Sequence, residues 1–256
     1  MDPSKIIRGD SYSTNQQAQE FLNLFDDSMF DQSLNVLDVG CGLGMQAEWW
    51  ATRRPKLDSD KFGLKASTEC HGVDLYPADG GLVDKFFFKQ EDYHNMSYGD
   101  AQFDIVWSHY SLEYSPSPMK ALAEWRRVCK PDGHLYLTVP CSFKKKFGRI
   151  HTDTKPGQQS WYTAPILINM LAYTGWLPKD SYFQVDFKKG VIRGIIAANP
   201  DQSTALDPIT TNIYELDERG LFDRWCSAMI HDRGMIDESN LVITWVTGTT
   251  LDFRSL

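Results

Sequence analysis

The sequence predicts an α/β fold in which a mostly parallel sheet is covered by helices on both faces. Strand-like apolar runs alternate with helix-like ones through most of its 256 residues, the pattern of parallel strands joined by crossover helices. The first run, Asn35–Val39, passes straight into the glycine turn Gly40-Cys41-Gly42-Leu43-Gly44, with Asp38 just ahead of it. The second, ending Gly72-Val73-Asp74-Leu75, also closes on an acid. In open α/β sheets, ligands bind in the crevice beyond such strand ends.

The elements follow in order. A helix over Gln16–Phe25, with Ser13 or Thr14 as N-cap, precedes the first strand. A second helix starts near Met45, and its free N–H groups face the glycine turn. The polar stretch Arg53–Thr68 reads as an exposed loop. Strands are expected at Asn35–Val39, His71–Leu75, Phe86–Lys89, Phe103–Ser108, Gly133–Val139, Ser181–Phe187 and Leu241–Thr247, seven in all. Pro118–Cys129 sets Met119, Leu122, Trp125 and Val128 or Cys129 at helical spacing, and Lys130-Pro131-Asp132-Gly133 stops that helix with a turn. Pro165–Tyr173 forms another helix, ended by Gly175. Gly190–Asn240 is a long excursion with a helix near Tyr214–His231. We read 1–256 as one domain and about 190–240 as a cap or lid inserted before the last strand.

Composition narrows the function classes. The chain is 42% hydrophobic and 23% charged, enough apolar material for a substantial core. Its net charge is −8, and the one short basic run is Lys144, Lys145, Lys146 and Arg149. A nucleic-acid groove needs concentrated cations, so nucleic acid is disfavoured as a partner. Five cysteines without a C-x-x-C pair suggest neither a disulfide framework nor a zinc site. No metal is expected. Met1–Lys5 has no apolar signal region, and no apolar run reaches the roughly 20 residues of a membrane span. A soluble, cytoplasmic protein without a membrane partner is expected; its oligomeric state is open.

The D-x-G-x-G-x-G turn is neither the phosphate-binding G-x-G-x-x-G nor a P-loop. Asp38, Gly40, Gly42 and Gly44 together resemble the first motif of class I S-adenosylmethionine-dependent methyltransferases. Phe103-Asp104-Ile105-Val106, the run Ser111-Leu112-Glu113-Tyr114 and Glu124–Leu135 with its Lys-Pro-Asp-Gly turn are similar to the later motifs, in the same order. Tyr114 stands where that family commonly has His. The resemblance covers about Asn35 to Val139 and continues more loosely through Trp161–Trp176.

The resemblance implies a Rossmann-like, seven-stranded sheet whose last strand runs antiparallel, and S-adenosyl-L-methionine as cofactor. It implies that Gly40, Cys41, Gly42 and Gly44 form a backbone bed, with Asp38 near the cofactor's amino-acid end. Asp74 would bind the ribose hydroxyls, with Leu75 and Tyr76 packed on the adenine. Asp92, with Glu91 as competitor, would accept from the adenine amine, beside Tyr93; Ser108 would lie near the sulfonium. Methyl transfer needs positioning first and a base only where the acceptor carries a proton. His109, at the end of the fourth strand, and His151 are the candidate bases, with Glu113 behind them. Cys141 after Pro140 reads as structural. The expected function is methyl transfer to a small molecule, oxygen slightly favoured. The alternatives are a nucleic-acid or protein methyltransferase, or an inactive cofactor-binding subunit.

Overall fold

A computed structural model of the chain describes residues 34–44, 46, 68–76, 86–141, 144–146, 149–151, 157–186, 190–200, 235–237 and 242–246. In chain order the elements are β1 (Leu34–Val39), β2 (Thr68–Asp74), β3 (Phe86–Gln90), β4 (Phe103–His109), α1 (Pro118–Val128), β5 (Cys129–Pro140), β6 (Lys144–Lys146), β7 (Arg149–His151), α2 (Ala164–Tyr173), β8 (Trp176–Asp186), β9 (Val191–Ala198), β10 (Met235–Asp237) and β11 (Val242–Val246). A 3₁₀ turn, Leu112–Tyr114, lies between β4 and α1.

β1 is paired in parallel with β2 on one side and β4 on the other. β3 extends the first side and β5 the second, both in parallel. β9 then joins β5 antiparallel, β8 joins β9, and β11 and β10 add a further antiparallel edge. The full order is β10-β11-β8-β9-β5-β4-β1-β2-β3. The seven strands from β3 to β8 across the sheet form the Rossmann-like unit, with β9 in place of the expected seventh strand, Leu241–Thr247. Strands β6 and β7 make a separate hairpin.

Each expected strand is present, and two boundaries differ instructively. Cys129 already pairs with Phe103, and the register then jumps so that His134 faces Ile105. The expected Lys130–Gly133 turn is therefore looped out within a strand that resumes on the far side. The second difference concerns the start of the excursion at 190–240. Val191–Ala198 is a central strand between β5 and β8, so the cap cannot begin before it. Its residues are buried almost throughout, and a strand covered on both faces shows no alternation by which to recognise it. Gly194 suits this strand because a Cβ there would come within 3.0 Å of the Phe183 ring and 2.9 Å of Ile196. The expected last strand is β11, at the added edge. Residues 201–234, the proposed Tyr214–His231 helix and the helices at Gln16–Phe25 and from Met45 lie outside the described residues, apart from Gln46, which is helical. No helix among the described residues is long and apolar enough to cross a membrane.

Helices α1 and α2 pack on one face of the sheet. Ala121, Leu122, Trp125 and Val128 of α1 and Leu167, Ile168 and Leu171 of α2 join Leu37, Val106, Leu135 and Leu137 in one core. Arg126 is the polar exception within this layer. Its guanidinium is buried and donates to the carbonyls of Cys129 and Gly175, both at 3.0 Å, and of Asn199. One side chain thus ties the end of α1, the turn before β8 and the end of β9. A buried cation is tolerated only where its donors are matched.

Arg126→Met should lower unfolding free energy by about 2–4 kcal/mol, because buried carbonyls lose a charged donor. Urea denaturation measures this; a loss under about 1 kcal/mol would show that the guanidinium is not the tie described.

Candidate active site

The site forms at the C-terminal ends of the parallel strands, where the chain leaves β1 toward β2 on one side and β4 lies on the other. That is the switch point at which doubly wound sheets open a crevice. All three motif glycines have positive φ: 72° at Gly40, 54° at Gly42 and 77° at Gly44. The turn is fastened to β2, since the N–H groups of Gly40 and Cys41 both donate to the Val73 carbonyl, at 2.8 and 3.1 Å. The Gly42 N–H donates to Asp74 Oδ2 at 2.8 Å, and the Tyr76 N–H to Asp74 Oδ1 at 3.0 Å. Asp74 therefore shapes both the turn and its own strand end, and each oxygen keeps a lone pair for a further donor.

Two glycines answer to different constraints. A Cβ at Gly40 would lie 2.4 Å from Ser111 Cβ, so this residue is forced by close packing. A Cβ at Gly42 would meet nothing within 4 Å among the described residues, which leave the space above it open. Leu75, 59% exposed, and Tyr76 flank that opening as large apolar side chains on the surface. Gln90 Nε2 donates to the Leu75 carbonyl at 3.0 Å and steadies the edge.

Beneath the turn, Ser108 and Ser111 are buried and joined at 2.9 Å, and the Ser111 hydroxyl donates to the Val39 carbonyl at 2.8 Å. Ser108 is thus the donor to Ser111 and supports the turn from below. Asp38 is only 2% exposed. Cys41 is buried between Asp38 and Asp74. Burial first, then these two carboxylates, pushes its thiol up, so it stays protonated and inert. Cys141 is also buried, and its N–H donates to the Gly190 carbonyl. The four described cysteines, at 41, 70, 129 and 141, are free.

His109 ends β4. Its ring lies against Trp107, with centroids 6.1 Å apart, and against Tyr110 at 4.6 Å. Tyr110 has φ 54°, a left-handed conformation that costs a bulky residue about 1–3 kcal/mol. This reversal carries the chain from β4 to Ser111 beneath Gly40, and no sequence pattern announced it. His151 ends β7, and its backbone pairs with Lys144 in the separate hairpin, not in the main sheet.

After β3, Glu91 turns back on Ser97, accepting from its N–H at 2.9 Å and its hydroxyl at 2.6 Å. Asp92 instead accepts from the N–H and ring Nδ1 of His94. Tyr93 is half-buried and donates to the Ser111 carbonyl at 3.3 Å; its ring approaches the Gly40 position. Burial first, and then the nearby Glu113, raises its phenol above the ordinary range. The structure therefore gathers Asp38, Gly40–Gly44, Asp74, Leu75, Tyr93 and Ser108 around one turn. His94 and Ser111, which the sequence reading did not single out, hold that arrangement.

This geometry agrees with comparison to known proteins. Residues 37–137 match the family described as a methyltransferase domain. The tocopherol O-methyltransferase of Arabidopsis thaliana is 28% identical over 136 residues, 49% of this chain and 36% of that protein. The 27-O-demethylrifamycin SV methyltransferase of Amycolatopsis mediterranei is 31% identical over 109 residues, 41% of this chain and 39% of that protein. The chain thus spans about a third of the length of these curated relatives. Among solved structures, S-adenosylmethionine-dependent methyltransferases from Archaeoglobus fulgidus and Aquifex aeolicus share the fold. Their TM-scores are 0.52 and 0.51, at 15% and 17% identity. They are covered to 95% and 98%, against 75% and 77% of this chain.

The residues present fit the family's cofactor, S-adenosylmethionine. Among the described residues the turn leaves bare backbone and open space at Gly42, and a carboxylate with remaining acceptor capacity stands beside it.

Gly40→Ala should destabilise the fold by about 2–4 kcal/mol, through left-handed strain and overpacking against Ser111. Gly42→Ala should cost only about 1 kcal/mol of backbone strain. Equal losses in thermal unfolding would contradict the different roles assigned to the two glycines.

Proposed function

We propose that this protein transfers the methyl group of S-adenosylmethionine to a small-molecule acceptor, with oxygen favoured as the acceptor atom. The observation that carries the reading is the Asp74 carboxylate at the end of β2, bonded to the Gly42 amide, above which no described residue lies within 4 Å of a Cβ position. In this reading Asp74 accepts from the ribose hydroxyls. The glycine turn with Cys41 forms the bed, and buried Asp38 faces the amino-acid end. Leu75 packs on the adenine, Asp92 accepts from its amine, and Tyr93 and Ser108 brace the bed. The cofactor supplies a methyl carbon already activated by the neighbouring sulfonium. What remains for the chain is to align the acceptor, exclude water and take up one proton.

His109 is the proposed base. It stands at the ligand end of β4, its orientation set by Trp107 and Tyr110, and imidazole titrates in the range suited to a hydroxyl acceptor. His151 and Glu113 are weaker candidates. Two of the relatives are named for methylation at oxygen, while a Gibberella zeae relative, 34% identical over 107 residues, is named a sterol 24-C-methyltransferase. Named acceptors of this kind support a small-molecule substrate and leave the choice of atom to experiment. We place the protein in the cytoplasm, in keeping with its free cysteines.

Incubating the protein with methyl-labelled cofactor and fractionated metabolite extracts should yield one small product carrying the label. Label found only in protein or nucleic acid would overturn the substrate class. Asp74→Ala should weaken S-adenosylhomocysteine binding by about 1–3 kcal/mol, through loss of charged hydrogen bonds; unchanged calorimetric affinity would remove Asp74 from the site. His109→Ala should lower kcat about 10²–10⁴-fold with little change in cofactor affinity, and a normal rate would exclude it as the base.

A further inference from the structure

We propose that His94 is a positioning residue that aims the Asp92 carboxylate at the cofactor's nucleobase, and thereby makes the site select an amino over an oxo substituent on that ring. The proposal rests on the cofactor reading above and adds to it the residue that sets base selectivity.

Asp92 is 53% exposed, and a carboxylate in water has no reason to keep one orientation. Here it is fixed through one oxygen only. The His94 N–H donates to Oδ1 at 2.9 Å, and His94 Nδ1 lies 2.5 Å from the same atom. Among the described residues Oδ2 receives no hydrogen bond, so it is the oxygen left for a ligand. Glu91, the competing acid, has both oxygens engaged by Ser97.

His94 can hold Asp92 because it is itself held. Its side chain is only 10% exposed, its ring lies 4.6 Å from that of Tyr93, and Nε2 sits 2.6 Å from Ser115 Oγ. Ser115 is fully buried and accepts from the Ser117 N–H at 3.1 Å. One ordering of protons satisfies the whole chain with a neutral ring. The Ser117 N–H donates to Ser115 Oγ, the Ser115 hydroxyl to His94 Nε2, and His94 Nδ1–H to Asp92 Oδ1. Burial opposes ionisation of Asp92, but the two His94 donors outweigh it and hold its carboxyl below the usual range. An ionised carboxylate is an acceptor only. An amine opposite Oδ2 can donate to it, whereas an oxo oxygen there sets two acceptors face to face.

The same segment reaches the other end of the cleft. Tyr93 donates to the Ser111 carbonyl, and Ser111 bonds Val39 directly beneath Gly40. Residues 92–94 are thus fastened at Ser111 and Ser115, on both sides of the 3₁₀ turn.

Calorimetry on the full chain with S-adenosylhomocysteine and S-inosylhomocysteine tests this. The wild type should prefer the adenosyl compound by roughly 10–100-fold, as expected for one charge-assisted hydrogen bond. His94→Gln, whose amide reaches Ser115 but not Asp92, should reduce that ratio about tenfold through weaker adenosyl binding, with inosyl affinity unchanged. His94→Asn, whose amide nitrogen falls where Nδ1 stands, should restore the ratio to within about threefold of wild type. Should His94→Gln fail to fold, Ser115→Ala, which frees the far end of the imidazole, should still lower the ratio severalfold. A wild-type ratio in the folded His94→Gln or Ser115→Ala protein would reduce His94 to a structural role and overturn the proposal, with the cofactor reading intact. Failure of the wild type to bind either nucleoside would overturn that reading, and the proposal with it.

Discussion

The bonding of the glycine turn to the end of β2 is the constraint on which the site depends. Two turn amides share the Val73 carbonyl and a third reaches Asp74. A turn with three positive-φ residues has no preferred shape of its own in water. Here the neighbouring strand dictates its path, and the path leaves one stretch of backbone uncovered. Because β1 and β2 pair in register from Leu34↔Thr68 to Val39↔Val73, sheet formation itself delivers Asp74 to the turn. The placement of Asp74 beside the turn is therefore a consequence of strand pairing.

The opposite wall is built by different means. Tyr110 takes a strained conformation so that Ser111 can slide beneath Gly40, and the buried Ser108–Ser111 pair bonds the β1 carbonyl from below. Strain of this kind persists only where surrounding packing over-determines it. Trp125 of α1, 5.6 Å from the Tyr93 ring, belongs to that packing. Turn, β4 end and post-β3 segment thus form one connected support for the crevice.

Much of this was legible in the sequence because it is carried by patterns longer than one residue. The D-x-G-x-G-x-G turn and the acid after Gly72-Val73 each mark a strand end with turn chemistry, and both strands are present, whereas the Lys-Pro-Asp-Gly stretch interrupts the register within β5. What escaped has a physical reason. β9 contains Arg193 and Gly194 within an apolar run and lacks alternation, because both of its faces are covered. The Tyr110 reversal is fixed by tertiary packing, not by local preference. His94 and Ser115 are 21 residues apart in sequence, and a hydrogen bond between two common polar residues leaves no local signature.

The central claim is that the turn and the acids of β2 and of the post-β3 segment form one cofactor-binding surface. Amide hydrogen exchange measured with and without S-adenosylhomocysteine tests it most directly. The account expects added protection concentrated at 40–44, 74–76 and 92–94, with the β8–β9 pairing unchanged. Protection spread evenly over the sheet, or absent from the glycine turn at saturating ligand, would contradict it.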